Sequence, residues 1–69
     1  VVGLGGKIRW ARRLADLNQT ELGRRCGWSL SRQGEIERDE VTPTTDQVTR
    51  LVDTLPILKQ LLGNEFNER

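Results

Sequence analysis

A chain of 69 residues leaves room for one small domain with a thin core, whose net stability is typically no more than about 3–5 kcal/mol. Net charge is +1, with 30% charged residues, one cysteine and no histidine. That excludes a disulfide framework, a Ser-His or Cys-His nucleophile pair and a Cys/His metal site, so no enzymatic role and no cofactor are expected.

Charge is unevenly placed. Residues 1–38 carry eight Lys/Arg against four Asp/Glu, and residues 39–69 carry three against six. Such asymmetry points to a nucleic-acid-facing side, although a chain this rich in charge also becomes uneven by chance. No apolar run approaches the roughly 20 residues that cross a bilayer, so no membrane partner is expected. The start, Val-Val-Gly-Leu-Gly-Gly, lacks the charge and apolar stretch of a signal peptide, and a reducing cytoplasm is the default location for a lone thiol. Without an initiator Met the chain reads as a trimmed or tagged piece of something longer.

In chain order, residues 1–6 read as a flexible lead-in. The run Gly-Leu-Gly-Gly-Lys is no phosphate loop, because Lys7 is followed by Ile8 rather than Ser or Thr and no strand precedes it. A first helix is expected over residues 7–16, with Ile8, Ala11 and Ala15 as its inner stripe and Trp10, Leu14 and Leu17 widening it. Lys7, Arg9, Arg12 and Arg13 fill the rest, as a solvated face or, with Arg24 and Arg25, as a track for phosphates.

Asn18 then caps a second helix over about 19–26, with Glu21 as capping-box partner and Leu17/Leu22 as hydrophobic staple. Gly27 stands where that helix must end in the left-handed region. Cys26 faces inward with Leu22 as a core thiol. Ser29 caps a third helix over about 30–37, which exposes Ser29, Ser31 and Arg32 near its start and Glu35 one turn on. Arginine reads guanine, serine reads several base edges, and a carboxylate accepts from cytosine. Pro43 and Thr44 introduce a fourth helix with Gln47 as capping-box partner. There Val48, Leu51, Val52 and Leu55 recur at i, i+3, i+4 and i+7. Pro56 ends it, and Ile57–Leu62 forms a short fifth helix before a polar tail, 64–69, that frays.

The order Leu-Asn-Gln-Thr-Glu-Leu, Gly27, Ser29, Ile36-Glu37 and Pro43 resembles the Cro and phage-repressor (XRE-type) helix-turn-helix family across about residues 4–63. The resemblance implies an all-α, compact five-helix lambda-repressor-like domain over residues 7–63, binding double-stranded DNA as a homodimer in a transcriptional regulator. It further implies phosphate contacts from Asn18 and Gln19, with Arg9 and Arg38 also placed to reach the backbone, and base reading by Ser29, Ser31, Arg32 and Glu35. Arg12 and Glu37 would form a structural ion pair. Ile57, Leu58, Leu61 and Phe66 are candidates for the dimer contact, or else close the core. The sequence departs from the pattern where Gln33 replaces a core Val or Ile, where Gly34 follows it, and where no glycine stands near Asp39. A protein-binding module on the same scaffold is the alternative, favoured by the low net charge and the acidic end of the third helix. An antitoxin-like regulator, with a partner on the acidic half, is a third reading.

Overall fold

A computed structural model describes residues 3–62, and Phe66 and the 64–69 tail lie outside the described residues. Five helices and no strand make up that span: α1 (Leu4–Leu14), α2 (Gln19–Cys26), α3 (Leu30–Glu37), α4 (Thr45–Thr54) and α5 (Pro56–Leu62). α2 packs on α3, α1 on α3 and α5, and α4 on α2 and α5. The all-α expectation holds.

Local signals explain the helix starts. Asn18 Oδ1 accepts from Glu21 N at 2.8 Å and Glu21 Oε1 accepts from Asn18 N, closing the capping box of α2. Thr44 and Gln47 form the same box on α4, and Ser29 Oγ accepts from Arg32 N at the head of α3. Pro56 opens α5, where its missing N–H costs nothing.

The first three helices stop alike, with a left-handed residue followed by a backbone bond reaching five residues back. Asp16, Gly27 and Asp39 have φ of 62°, 94° and 59°. The closing bonds are Leu17 N to Arg12 O, Trp28 N to Gly23 O and Glu40 N to Glu35 O. Asp39 thus occupies the position where a glycine was missed, since a short polar side chain tolerates this region.

α1 differs from expectation at both ends. It begins at Leu4, so residues 4–6 are helical rather than a lead-in, and it ends at Leu14. The cause is tertiary: Asp39 Oδ1, from the loop after α3, accepts from Gly5 N at 2.9 Å and supplies the cap that Gly3 does not. Gly5 is buried, and a Cβ there would collide with the Glu37 carbonyl and lie 2.6 Å from that of Ile36. The glycine run therefore permits α1 to lie directly on the end of α3.

The core comprises Ile8, Ala11, Leu22, Cys26, Ile36, Leu51, Leu55, Leu58 and Leu62. The inner face of α1 is Leu4, Gly5, Ile8, Ala11 and Arg12, while Ala15, Trp10 and Leu14 face outward. Trp10 is 55% and Leu14 58% exposed, against the expectation that they widen the inner stripe. Arg12, buried against Glu37, takes a place on the inner face of α1 instead.

Candidate nucleic-acid interface

α2 and α3 meet through a short turn. Gly27 and Trp28 both donate backbone N–H groups to Gly23 O at 2.8 Å, and Arg50 donates to Cys26 O at 3.2 Å. Gly23 is buried in this turn, where a Cβ would stand 2.9 Å from Trp28 O. Two helices held so closely, the second with its leading end open, form a helix-turn-helix unit.

α3 has two unlike faces. On the outer one, Ser29, Ser31 and Arg32 are exposed and Glu35 is half-buried. Ser29 Oγ is engaged as the helix cap, which leaves Ser31 and Arg32 as the less committed groups. Arg32 stands 3.6 Å from Glu35, with both side chains more than two-fifths exposed. At the far end Arg38 grips Glu40 through two hydrogen bonds of 2.9 and 3.1 Å. The hydrogen bond and charge of each hold its partner ionised, so the Arg38 pKa is raised and the Glu40 pKa lowered.

The inner face of α3 is polar where an aliphatic residue was expected. Gln33 is fully buried. Its Oε1 accepts from the Trp28 indole Nε1 at 2.8 Å, and its Nε2 donates to Glu37 Oε2 at 2.8 Å. Glu37 Oε2 also accepts from Arg12 Nε at 2.7 Å, and Oε1 accepts from the same guanidinium and from Gln19 Nε2, both at 3.1 Å. Arg12 spends a further N–H on Leu17 O at 2.9 Å. A continuous hydrogen-bonded chain thus runs from the turn, along the back of α3, to α1 and the start of α2. Among the described residues no buried side-chain N or O lacks a partner. Burial pushes the Glu37 carboxyl upward, but hydrogen bonds from Arg12, Gln33 and Gln19 and the charge of Arg12 outweigh it and hold it below the ordinary value.

Asn18 is exposed but its Oδ1 serves the cap of α2. Gln19 is half-buried with its amide nitrogen turned toward Glu37, so the donor expected to meet a phosphate points inward. Arg9 is exposed on α1. Ile57 and Leu61 are half-buried against the core. Leu58 is fully buried, which corrects its place among the dimer candidates: a side chain at the centre of a thin core has no surface for a partner. Sequence reasoning missed the Trp28–Gln33 bond; an amide at an apolar position five residues after a tryptophan was its only signal.

Cys26 is buried 3.7 Å from Thr54 Oγ1, and burial raises its pKa despite Thr54 and Arg50. Among the described residues no group of three or more His, Cys, Asp or Glu could hold a metal ion, and no helix is long and apolar enough to cross a membrane.

The helix-turn-helix class defined by this geometry agrees with sequence comparison. The family described as "Helix-turn-helix domain" matches residues 4–57, well over half of the chain, so the chain belongs to that family. The match starts at Leu4, where α1 starts. No curated protein and no solved structure matches the chain. Membership suggests DNA binding, a role this family typically fills without catalysis.

Proposed function

We propose that the chain is a sequence-specific double-stranded DNA-binding domain of a bacterial or phage transcriptional regulator, acting in the cytoplasm as a repressor or activator. α3 enters the major groove with Ser31 and Arg32 toward base edges, and Arg9 and Arg38 follow the phosphates. The observation that supports this most is the division of α3: its leading outer face is exposed while its back is hydrogen-bonded to the scaffold. A homodimer would read two half-sites about 34–36 Å apart, with Ile57, Leu61 and Phe66 as its contact candidates. Selection of bound fragments from random duplex DNA tests the reading. A recovered palindrome supports it, whereas no enrichment at low salt refutes it. Binding should weaken with a slope of about −0.9 per phosphate contact in log salt.

Docking of a partner protein is the second reading. It is favoured by exposed Trp10 and Leu14 one turn apart on α1, flanked by exposed Arg9 and Arg13. A partner bound there would be acidic and apolar, and Trp10→Ala would abolish its binding while leaving DNA binding intact.

A further inference from the structure

We propose that Trp28 and Gln33 are positioning residues that fix the rotation of α3 about its own axis, and through it the aim of Ser31 and Arg32. This rests on the reading that α3 enters a major groove. The two bonds of Gln33 lead in opposite directions. One runs back to the indole of the turn and the other runs one helical turn forward to Glu37. The amide is therefore anchored on both sides of its own position, and Gln33 immediately follows Arg32 in the chain.

A valine or isoleucine here would fill the same volume but could slide, because apolar contact has no preferred direction. An N–H···O bond prefers angles above about 150° and weakens steeply when bent. Helix side chains extend about 5–6 Å from the axis, so a rotation of about 10° moves their tips by about 1 Å. A displacement of that size is enough to disrupt a bidentate contact with a base. Among the described residues, the other side-chain hydrogen bonds from α3 to α1 and α2 act at its far end, where Glu37 meets Arg12 and Gln19. The Trp28–Gln33 bond is the polar side-chain tie that reaches the leading half, beside the groups that face DNA. The indole is also well placed as an anchor, since Trp28 belongs to the turn that joins the two helices of the motif.

The test separates positioning from stability. Trp28→Phe with Gln33→Met removes both ends of the bond. It also takes one of four donors from Glu37, which keeps Arg12 and Gln19, so some loss of stability is expected and binding is compared only between folded proteins. Affinity is measured by fluorescence anisotropy, at a temperature where circular dichroism shows wild type and variant fully folded. The probes are the duplex recovered by selection from random DNA and a scrambled duplex of equal length. The expected result is about a tenfold loss for the recovered duplex, the size of spoiling contacts to one base pair, with the scrambled duplex bound as before. A folded variant that keeps the wild-type ratio overturns the proposal and leaves the DNA-binding reading standing. A selection from which wild type recovers no duplex overturns both.

Hydrogen exchange of the Trp28 indole proton in the wild type gives a second readout that needs no variant. At equal saturation, the recovered duplex should slow this exchange more than the scrambled one, because specific binding is linked to the closed bond. Equal slowing by both duplexes is what a purely structural bond would give, and it overturns the proposal. The exposed indole of Trp10 is the internal reference.

Discussion

Glu37→Gln should nearly unfold the domain, although it changes one oxygen to nitrogen. The native carboxylate accepts four hydrogen bonds, two from Arg12 and one each from Gln33 and Gln19. An amide offers one accepting oxygen, and its nitrogen meets other donors head-on. Arg12, only 9% exposed, keeps its charge and loses its counterion. Breaking a buried pair in this way costs about 3–5 kcal/mol, close to the whole net stability of about 3–5 kcal/mol open to a domain this small. Urea unfolding followed by circular dichroism at 25 °C should show a midpoint near zero denaturant or no cooperative transition. The exposed pair Arg38–Glu40 is the control: Arg38→Ala should leave the urea midpoint nearly unchanged, because solvent screens the pair. A loss under 1 kcal/mol for Glu37→Gln would mean that the pair is solvated in solution, and the argument for a polar brace behind α3 would fail. The wild type carries the same information in its pH dependence. The Glu37 pKa is lower folded than unfolded, so its stabilisation is complete above the ordinary glutamate value of about 4.3. It is lost as pH falls through that value and on through the folded one. The thermal midpoint should therefore hold between neutrality and about pH 5 and drop below about pH 4, and a midpoint that rose on acidification would contradict the sign.

Two glycines should respond in opposite directions. Gly34→Ala should stabilise by up to about 1 kcal/mol, because its Cβ meets only the exposed end of the Arg38 side chain, at 2.9 Å, which can shift at the expense of its weak surface pair with Glu40. The gain would raise the thermal midpoint by about 4–8 °C. Gly5→Ala should destabilise the fold, since its Cβ meets backbone carbonyls of α3 that cannot step aside; a neutral result in the same melt would disprove the close packing of α1. Cys26 should resist thiol reagents under native conditions and react fully in urea, and fast native labelling would contradict its burial. Arg32→Ala should cost about 1–3 kcal/mol in binding the selected duplex and relax preference at one base pair, whereas unchanged binding to every sequence would remove it from the base-reading set.

The boundaries of α2, α3 and α4 were legible because their signals are local. Asn18, Ser29 and Thr44 each accept from a backbone N–H three residues ahead, and Gly27 adopts the one conformation that favours it. The start of α1 was not legible, because its cap comes from Asp39, 34 residues away, and no local residue announces it. The identity of Leu58 as core rather than contact surface was hidden for a similar reason. Four apolar residues in six cannot all be sorted by periodicity on a helix of under two turns. Gln33 was visible only as an anomaly. A buried amide becomes intelligible once both its partners are known, and one of them lies across a turn. The outward groups of α3 were readable as types, yet Gln19 shows the limit: its side chain serves Glu37, and only three dimensions reveal that.

The outer face of α3 is also shaped by its own acids. Arg32 faces Glu35 and Arg38 faces Glu40, and all four side chains keep two-fifths or more of their surface in water. Pairs so exposed are weak, so on the proposed reading a well-placed base edge can displace them, whereas a badly placed one offers little advantage over the existing partner. The carboxylates also repel phosphates, which weakens binding that depends on charge alone. As a DNA binder, a domain of net charge +1 built this way would give up some general affinity for duplex DNA. On the proposed reading the rest comes from geometry, and the aim of Arg32 would then depend on the hydrogen-bonded back of the helix that carries it.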